Sequence, residues 1–196
     1  HRQSSAASDV YKRQDITNAS RRIKMKEVKK CSENGVTDIT EIKVGFDGIA
    51  LANAKSGTDL ELSLKDIYLA LAKFVPADPE GKTVKPNPYK MWNEVNAKLP
   101  AAPILVIGPP PTSGTRDAFN ELAIEKGCRE FIGRRDLKKK DKNLYKEECR
   151  GVREDGAYVE AGENDNLIIE KLVSDTGALG VFGYSFLDQN KDKVKA

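Results

Sequence analysis

Apolar positions recur along this chain at two spacings, every second residue and every third or fourth, and the exchange between them predicts strands interleaved with helices. Met25, Val28 and Cys31 stand three apart and precede Asn34-Gly35, which predicts a short helix with a glycine C-cap. From Glu41 to Ala52 (EIKVGFDGIALA) the pattern alternates around Ile42, Val44 and Phe46 and ends in an apolar run, which predicts a buried strand. Ser63 with Asp66 three residues later is a capping box opening a helix whose face carries Leu64, Ile67, Leu71 and Phe74, with Pro76 and Pro79 as its stop. Beyond a Pro- and Lys-rich connector, Met91, Trp92, Val95 and Leu99 predict a second helical face, with Trp92 in the core.

The second half repeats the exchange in tighter form. Ala102 to Ile107 reads as a short buried strand, Gly108 to Ser113 (GPPPTS) as a turn, and the stretch from Thr115 as a helix with Phe119, Leu122 and Ala123 on one face and Gly127 as its end. Leu167 to Val173 is helical in pattern, Ala178 to Phe186 (ALGVFGYSF) is a glycine-punctuated strand, and Leu187 to Ala196 reads as the first turns of another helix. The ordering indicates an α/β sheet covered on both faces. Residues 1–14 (HRQSSAASDVYKRQ) show neither period, lack the apolar core of an export signal, and read as a tail outside the fold.

Composition narrows the functional classes. Hydrophobic residues make up 39% and charged residues 32% of 196, which supports a folded core, and no apolar run approaches the roughly 20 residues that span a bilayer. The 33 basic and 30 acidic residues leave a net charge of only +3, a poor footprint for nucleic acid. The basic run Arg134 to Lys140 has no interleaved aromatics and reads as a solvated face. Cys31, Cys128 and Cys149 form no CxxC pair and no metal site is expected; in an oxidising compartment Cys128 and Cys149 can close the charged segment as a disulfide, and in a reducing one all three stay thiols.

Two loops carry chemistry. Thr112-Ser113-Gly114-Thr115-Arg116 places hydroxyls, a bare backbone position and a guanidinium at a helix start, where unpaired N–H groups and about half a positive charge favour an anion. Arg116 adds a two-pronged donor matched to a tetrahedral oxyanion. Asn18-Ala19-Ser20-Arg21-Arg22 repeats the arrangement, and its cations at the positive helix end suit a site occupied by an anion. Enzyme readings lack parts: the only histidine is His1, so no Ser-His-Asp triad can be assembled, and the Walker A spacing is absent. Asp155, Glu163 and Asp165 stand in a charge-rich stretch where solvated acids are the default. A Ser113-dependent hydrolase remains the alternative from the enzyme class.

Taken together, DITNASRRIK, VGFDGIALAN, GPPPTSGTRDAF, REDGAYVEAGENDN and ALGVFGYSFL resemble the PstS-type phosphate-binding proteins, members of the two-lobed periplasmic binding family, over essentially all of 15–196. The resemblance implies a type 2 fold, each lobe a sheet flanked by helices, joined by crossing strands at Phe46 to Asn53 and Leu179 to Phe186. Lobe one would hold 15–52 and 180–196 and be incomplete, and lobe two would hold 53–179. It further implies that Ser113, Gly114 and Thr115 hold phosphate oxygens, with Ser20 reaching from the opposite lobe. Some well-known relatives carry an Asp just after that first-loop Ser and an Arg shortly before the SGT, where this chain has Arg21 and Pro109-Pro110-Pro111; Arg116 and Arg21 would then supply the charge. Without the Asp acceptor, a protonated phosphate is less distinct from sulfate. The implied partners are inorganic phosphate and the permease subunits of an ABC transporter in the periplasm, with the protein acting as a monomer without cofactor.

Overall fold

A computed structural model describes residues 16–17, 19, 22–162 and 164–196. The chain divides into one unit within 1–47 and another over 48–196. In the first, helix α1 (Met25–Glu33) ends at Asn34, and Gly35 takes φ 85°, as the glycine C-cap requires. Glu27 accepts from the Lys24 N–H at 2.9 Å, closing the helix start. Arg22 Nε donates to Glu41 at 2.6 Å and holds that carboxyl below its usual range. The strand expected from Glu41 does not begin there: residues 41–48 are irregular, with Ile42, Val44 and Phe46 exposed at 76%, 97% and 91%. Alternation fixes which side a residue faces, but a strand also needs a ladder partner, and among the described residues 42–46 has no strand paired with it.

The second unit runs β1 (Ile49–Ala54), α2 (Leu64–Leu71), β2 (Phe74–Pro76), β3 (Val84–Pro86), α3 (Trp92–Val95), β4 (Val106–Gly108) and α4 (Gly114–Phe119). A π-helical turn (Asn120–Ile124) then leads into α5 (Glu125–Cys128), α6 (Ile132–Arg135), α7 (Leu137–Lys140) and α8 (Lys142–Arg150). The remainder is β5 (Tyr158–Glu160), α9 (Asp165–Ser174), β6 (Leu179–Gly183), α10 (Tyr184–Gln189) and β7 (Val194–Lys195). The sheet order is β5-β4-β6-β1-β7, with β4 parallel to β5 and β6, and β1 antiparallel to β6 and β7. Along β4 and β6 successive residues enter opposite cores. Val106 and Val181 pack with Ile67, Tyr68 and Trp92, while Ile107 and Phe182 pack with Ile168 and Leu172 of α9. This is the sheet covered on both faces that the sequence predicts.

Local signals hold where the chemistry is local. Ser63 caps α2 and Asp66 answers it in the full capping box. Phe74 and Pro76, read as the end of that helix, instead form β2, because the helix stops at Ala72 and a two-stranded hairpin with β3 tolerates proline at its edges. The helix expected over 89–99 is a single turn, since Met91 bridges to Pro103 and draws the chain out of helical register; Trp92 is buried as expected. Leu122 is exposed while Phe119, Ala123 and Ile124 are buried, because the wider π turn displaces the third residue from the apolar face. Gly127 is no stop. It lies inside α5, where a Cβ would stand 2.1 Å from the Leu64 carbonyl oxygen, so its role is close helix packing. Residues 187–196 finish α10 and return as β7 rather than beginning a new helix, because Val194 is buried against the edge of the sheet and pairs with Ala54.

Cys128 and Cys149 are joined, with Cα atoms 5.4 Å apart, and tie α5 to α8. Arg134, expected on a solvated face, is buried: it donates to the Gly81 and Lys82 carbonyls and pairs with Glu148. Its stem is enclosed because the loop at Gly81 folds back over α6. Residues 135 to 140 around it stay exposed or half-buried.

Candidate anion-binding site

The parallel strands place the Gly108–Ser113 loop at a reversal of strand order. The chain leaves the carboxyl end of β4, returns through β5 on one side, and crosses by α9 to β6 on the other. In open α/β sheets such a point is where ligands lodge. The loop closes on itself as Ser113 N–H donates to the Pro110 carbonyl at 3.0 Å. Ser113, in extended conformation, then caps α4 by accepting from the Thr115 N–H at 3.2 Å. A Cβ built on Gly114 meets nothing within 4 Å, so the first turn is open on that side. The helix continues beyond α4 through the π turn to Cys128, lending its start the dipole of a longer element.

Beneath this start lies Arg116, 6% exposed. Its Nη1 donates to the Pro109 carbonyl at 3.3 Å, and its guanidinium carbon sits 3.8 Å from the centre of the Tyr158 ring. The Tyr158 hydroxyl donates to the same Pro109 carbonyl at 3.0 Å. Burial pushes the Tyr158 hydroxyl pKa up, while the neighbouring guanidinium pulls it down. Among the described residues no carboxylate pairs with Arg116, and its Nε has no partner. A buried cation without a counter-ion is unfavourable alone and turns favourable when an anion arrives.

Of the residues singled out from sequence, Ser113, Gly114, Thr115 and Arg116 come together at one helix start. Ser20, Arg21, His1 and the 1–14 tail lie outside the described residues, as does Glu163. Asp155 does not pair with another carboxylate: Arg153 and Lys90 hold it, the latter at 3.0 Å, and Asp165 accepts from the Gly183 N–H at 3.0 Å. Tyr158 and the Pro109 carbonyl escape the sequence reading. The apolar run Ala157-Tyr158-Val159 fits a strand, yet nothing local says that it lies beside β4. Among the described residues no group of His, Cys, Asp or Glu could hold a metal, and no helix is long and apolar enough to cross a membrane. Hollows of about 360 and 230 Å³ meet at Val173 and Lys193, and neither borders 113–116.

An α/β sheet with an anion-ready helix start at its strand-order reversal describes the binding-protein class. The family model described as PBP superfamily domain matches residues 3–196, and the chain belongs to that superfamily. Protein SphX of Synechococcus elongatus is 32% identical over 182 residues, 93% of this chain and 43% of that protein. The phosphate-binding protein PstS of Staphylococcus saprophyticus is 29% identical over 185 residues, 92% of this chain and 44% of that one. The chain therefore spans less than half the length of these curated relatives. Among solved structures, a possible phosphate binding protein from Planctomyces limnophilus superposes with a TM-score of 0.53 at 25% identity, covering 91% of this chain and 50% of that one. PstS from Borrelia burgdorferi superposes with a TM-score of 0.50 at 16% identity over 89% and 52%, which bears on the fold.

Proposed function

We propose that this chain forms part of a periplasmic protein that binds inorganic phosphate between two lobes and delivers it to the permease subunits of an ABC importer. Ser113, Gly114 and Thr115 hold phosphate oxygens from lobe two (53–179), and Arg116 supplies charge. Ser20 and Arg21 complete the shell from lobe one (15–52 with 180–196), and the lobes close about the paired strands Ile49–Ala54 and Leu179–Gly183, shorter than the Phe46 to Asn53 and Leu179 to Phe186 stretches expected from sequence because 41–48 is irregular and Tyr184–Gln189 is helical. The protein works as a monomer and as a carrier rather than an enzyme. The observation that carries the reading is the buried Arg116 guanidinium, without a carboxylate partner among the described residues, under an open helix start. The names of the relatives support the choice of phosphate among oxyanions.

Calorimetric titration of the full-length protein with phosphate and with sulfate tests it. Phosphate binding with sulfate at least tenfold weaker supports the reading, and no heat with phosphate rejects it. One observation favours a second reading, a carrier for sulfate or another fully ionised oxyanion: Arg21 stands where the resemblance expects an acidic acceptor. A hydrolase using Ser113 predicts ester turnover that vanishes in Ser113→Ala.

A further inference from the structure

We infer that Tyr158 is a positioning residue for the anion-facing loop, acting through Arg116 and the Pro109 carbonyl without touching the ligand; the identity of that ligand rests on the phosphate reading. Tyr158 opens β5, paired in parallel with Val106 of β4, and its ring is buried. Its hydroxyl and Arg116 Nη1 converge on one carbonyl oxygen, at 3.0 and 3.3 Å, while the guanidinium lies against the ring face at 3.8 Å. Three elements are thereby closed into a ring: β5 through Tyr158, the exit of β4 through Pro109, and the first turn of α4 through Arg116. Gly108 makes the approach possible, since a Cβ there would stand 2.2 Å from the Tyr158 hydroxyl oxygen.

The loop from Pro109 to Ser113 is then fixed at both ends, by the shared carbonyl and by the Ser113 cap, and its three prolines limit φ between them. A loop held in this way does not have to be ordered when an oxyanion arrives, which is how preorganisation raises affinity. A cation stacked on an aromatic face keeps its plane but not its full hydrogen-bonding capacity, so the ring orients the guanidinium while leaving its charge available.

The full-length protein, with Tyr158→Phe, Tyr158→Leu, Arg116→Met and the Tyr158→Leu/Arg116→Met pair, tests this by calorimetry with inorganic phosphate. Tyr158→Phe should weaken binding about two- to tenfold by removing one hydrogen bond. Tyr158→Leu should weaken it further, and its effect should shrink once Arg116 is already Met to about the two- to tenfold of the lost Pro109 hydrogen bond, because the part acting through Arg116 is then already gone. In ligand-free protein, amides of residues 112–116 should exchange with deuterium faster in Tyr158→Phe than in the parent. If the parent binds phosphate and the Tyr158 variants bind equally well, or lose the same factor with and without Arg116, the positioning role is overturned and the phosphate reading stands. If the parent gives no heat with phosphate, that reading falls, and the exchange measurement judges Tyr158 alone: unchanged rates overturn its role. Should Tyr158→Leu fail to fold, Tyr158→Phe decides by itself.

Discussion

Three buried arginines in the second unit are treated in two opposite ways. Arg134, on the disulfide side, is saturated by the Gly81 and Lys82 carbonyls and the Glu148 carboxylate. Arg153 repeats the pattern with the Ala70 and Tyr89 carbonyls and Asp155. Arg116, at the α4 start, has one carbonyl, one ring and an Nε without a partner among the described residues. A fold that neutralises its structural guanidinium groups and leaves one without a carboxylate partner beside an open helix start separates stability from the proposed binding. Stability resides where the charges cancel, and the proposed binding rests on the charge left over.

The comparison can be broken most sharply at Arg134. Arg134→Met leaves Glu148 and two carbonyls unpaired and should lower the unfolding free energy by about 3–5 kcal/mol in urea titration, with phosphate affinity of the folded fraction unchanged. Reducing the Cys128–Cys149 bond should lower it by about 3 kcal/mol on the loop-closure argument, again without altering affinity; thermal melts with and without reductant read this. Arg116→Met should behave inversely, shifting stability by no more than about 1 kcal/mol while weakening phosphate binding roughly ten- to hundredfold, the worth of a charged hydrogen bond. A large stability loss there would erase the distinction.

The smallest effect is one of pH. Hydrogen bonding from Arg153, and then from Lys90, holds the Asp155 carboxyl well below the usual carboxylate range against the opposing pull of burial. A lowered folded pKa contributes stability that is fully present above the unfolded value of about 3.9 and is lost as pH falls towards the folded one. Urea midpoints should therefore be flat in this contribution from pH 7 to about 5 and decline below 4, and Asp155→Asn should flatten the acid limb.

Much of this arrangement is legible in the sequence wherever a residue acts on its near neighbours. The Ser63–Asp66 capping box, the Gly35 helix end, the buried Trp92 and the Ser113 cap all follow from a few adjacent positions. Legibility fails where a distant partner decides. Ile42, Val44 and Phe46 alternate like a strand, yet among the described residues no strand pairs with them. Met91 leaves helical register because Pro103 pairs with it. Gly127 reads as a stop until α2 is brought against it, and Arg134 reads as solvated until the Gly81 loop folds over it. The candidate site divides in the same way: Ser113 to Arg116 announce themselves as a contiguous motif, whereas Tyr158 enters only because β5 lies beside β4.

The π turn over Asn120–Ile124 has a consequence for how the helix start is aimed. Each helical residue rotates the chain by about 100°, so the surplus residue in that turn sets the azimuth of everything before it relative to α5, whose orientation is fixed by the glycine contact with α2. Excising a single residue there should relax the turn to ordinary pitch and swing Arg116 off the tyrosine face without changing any residue that touches it. The aim of the loop is thus calibrated from the far end of its own helix, like a sight adjusted at the stock.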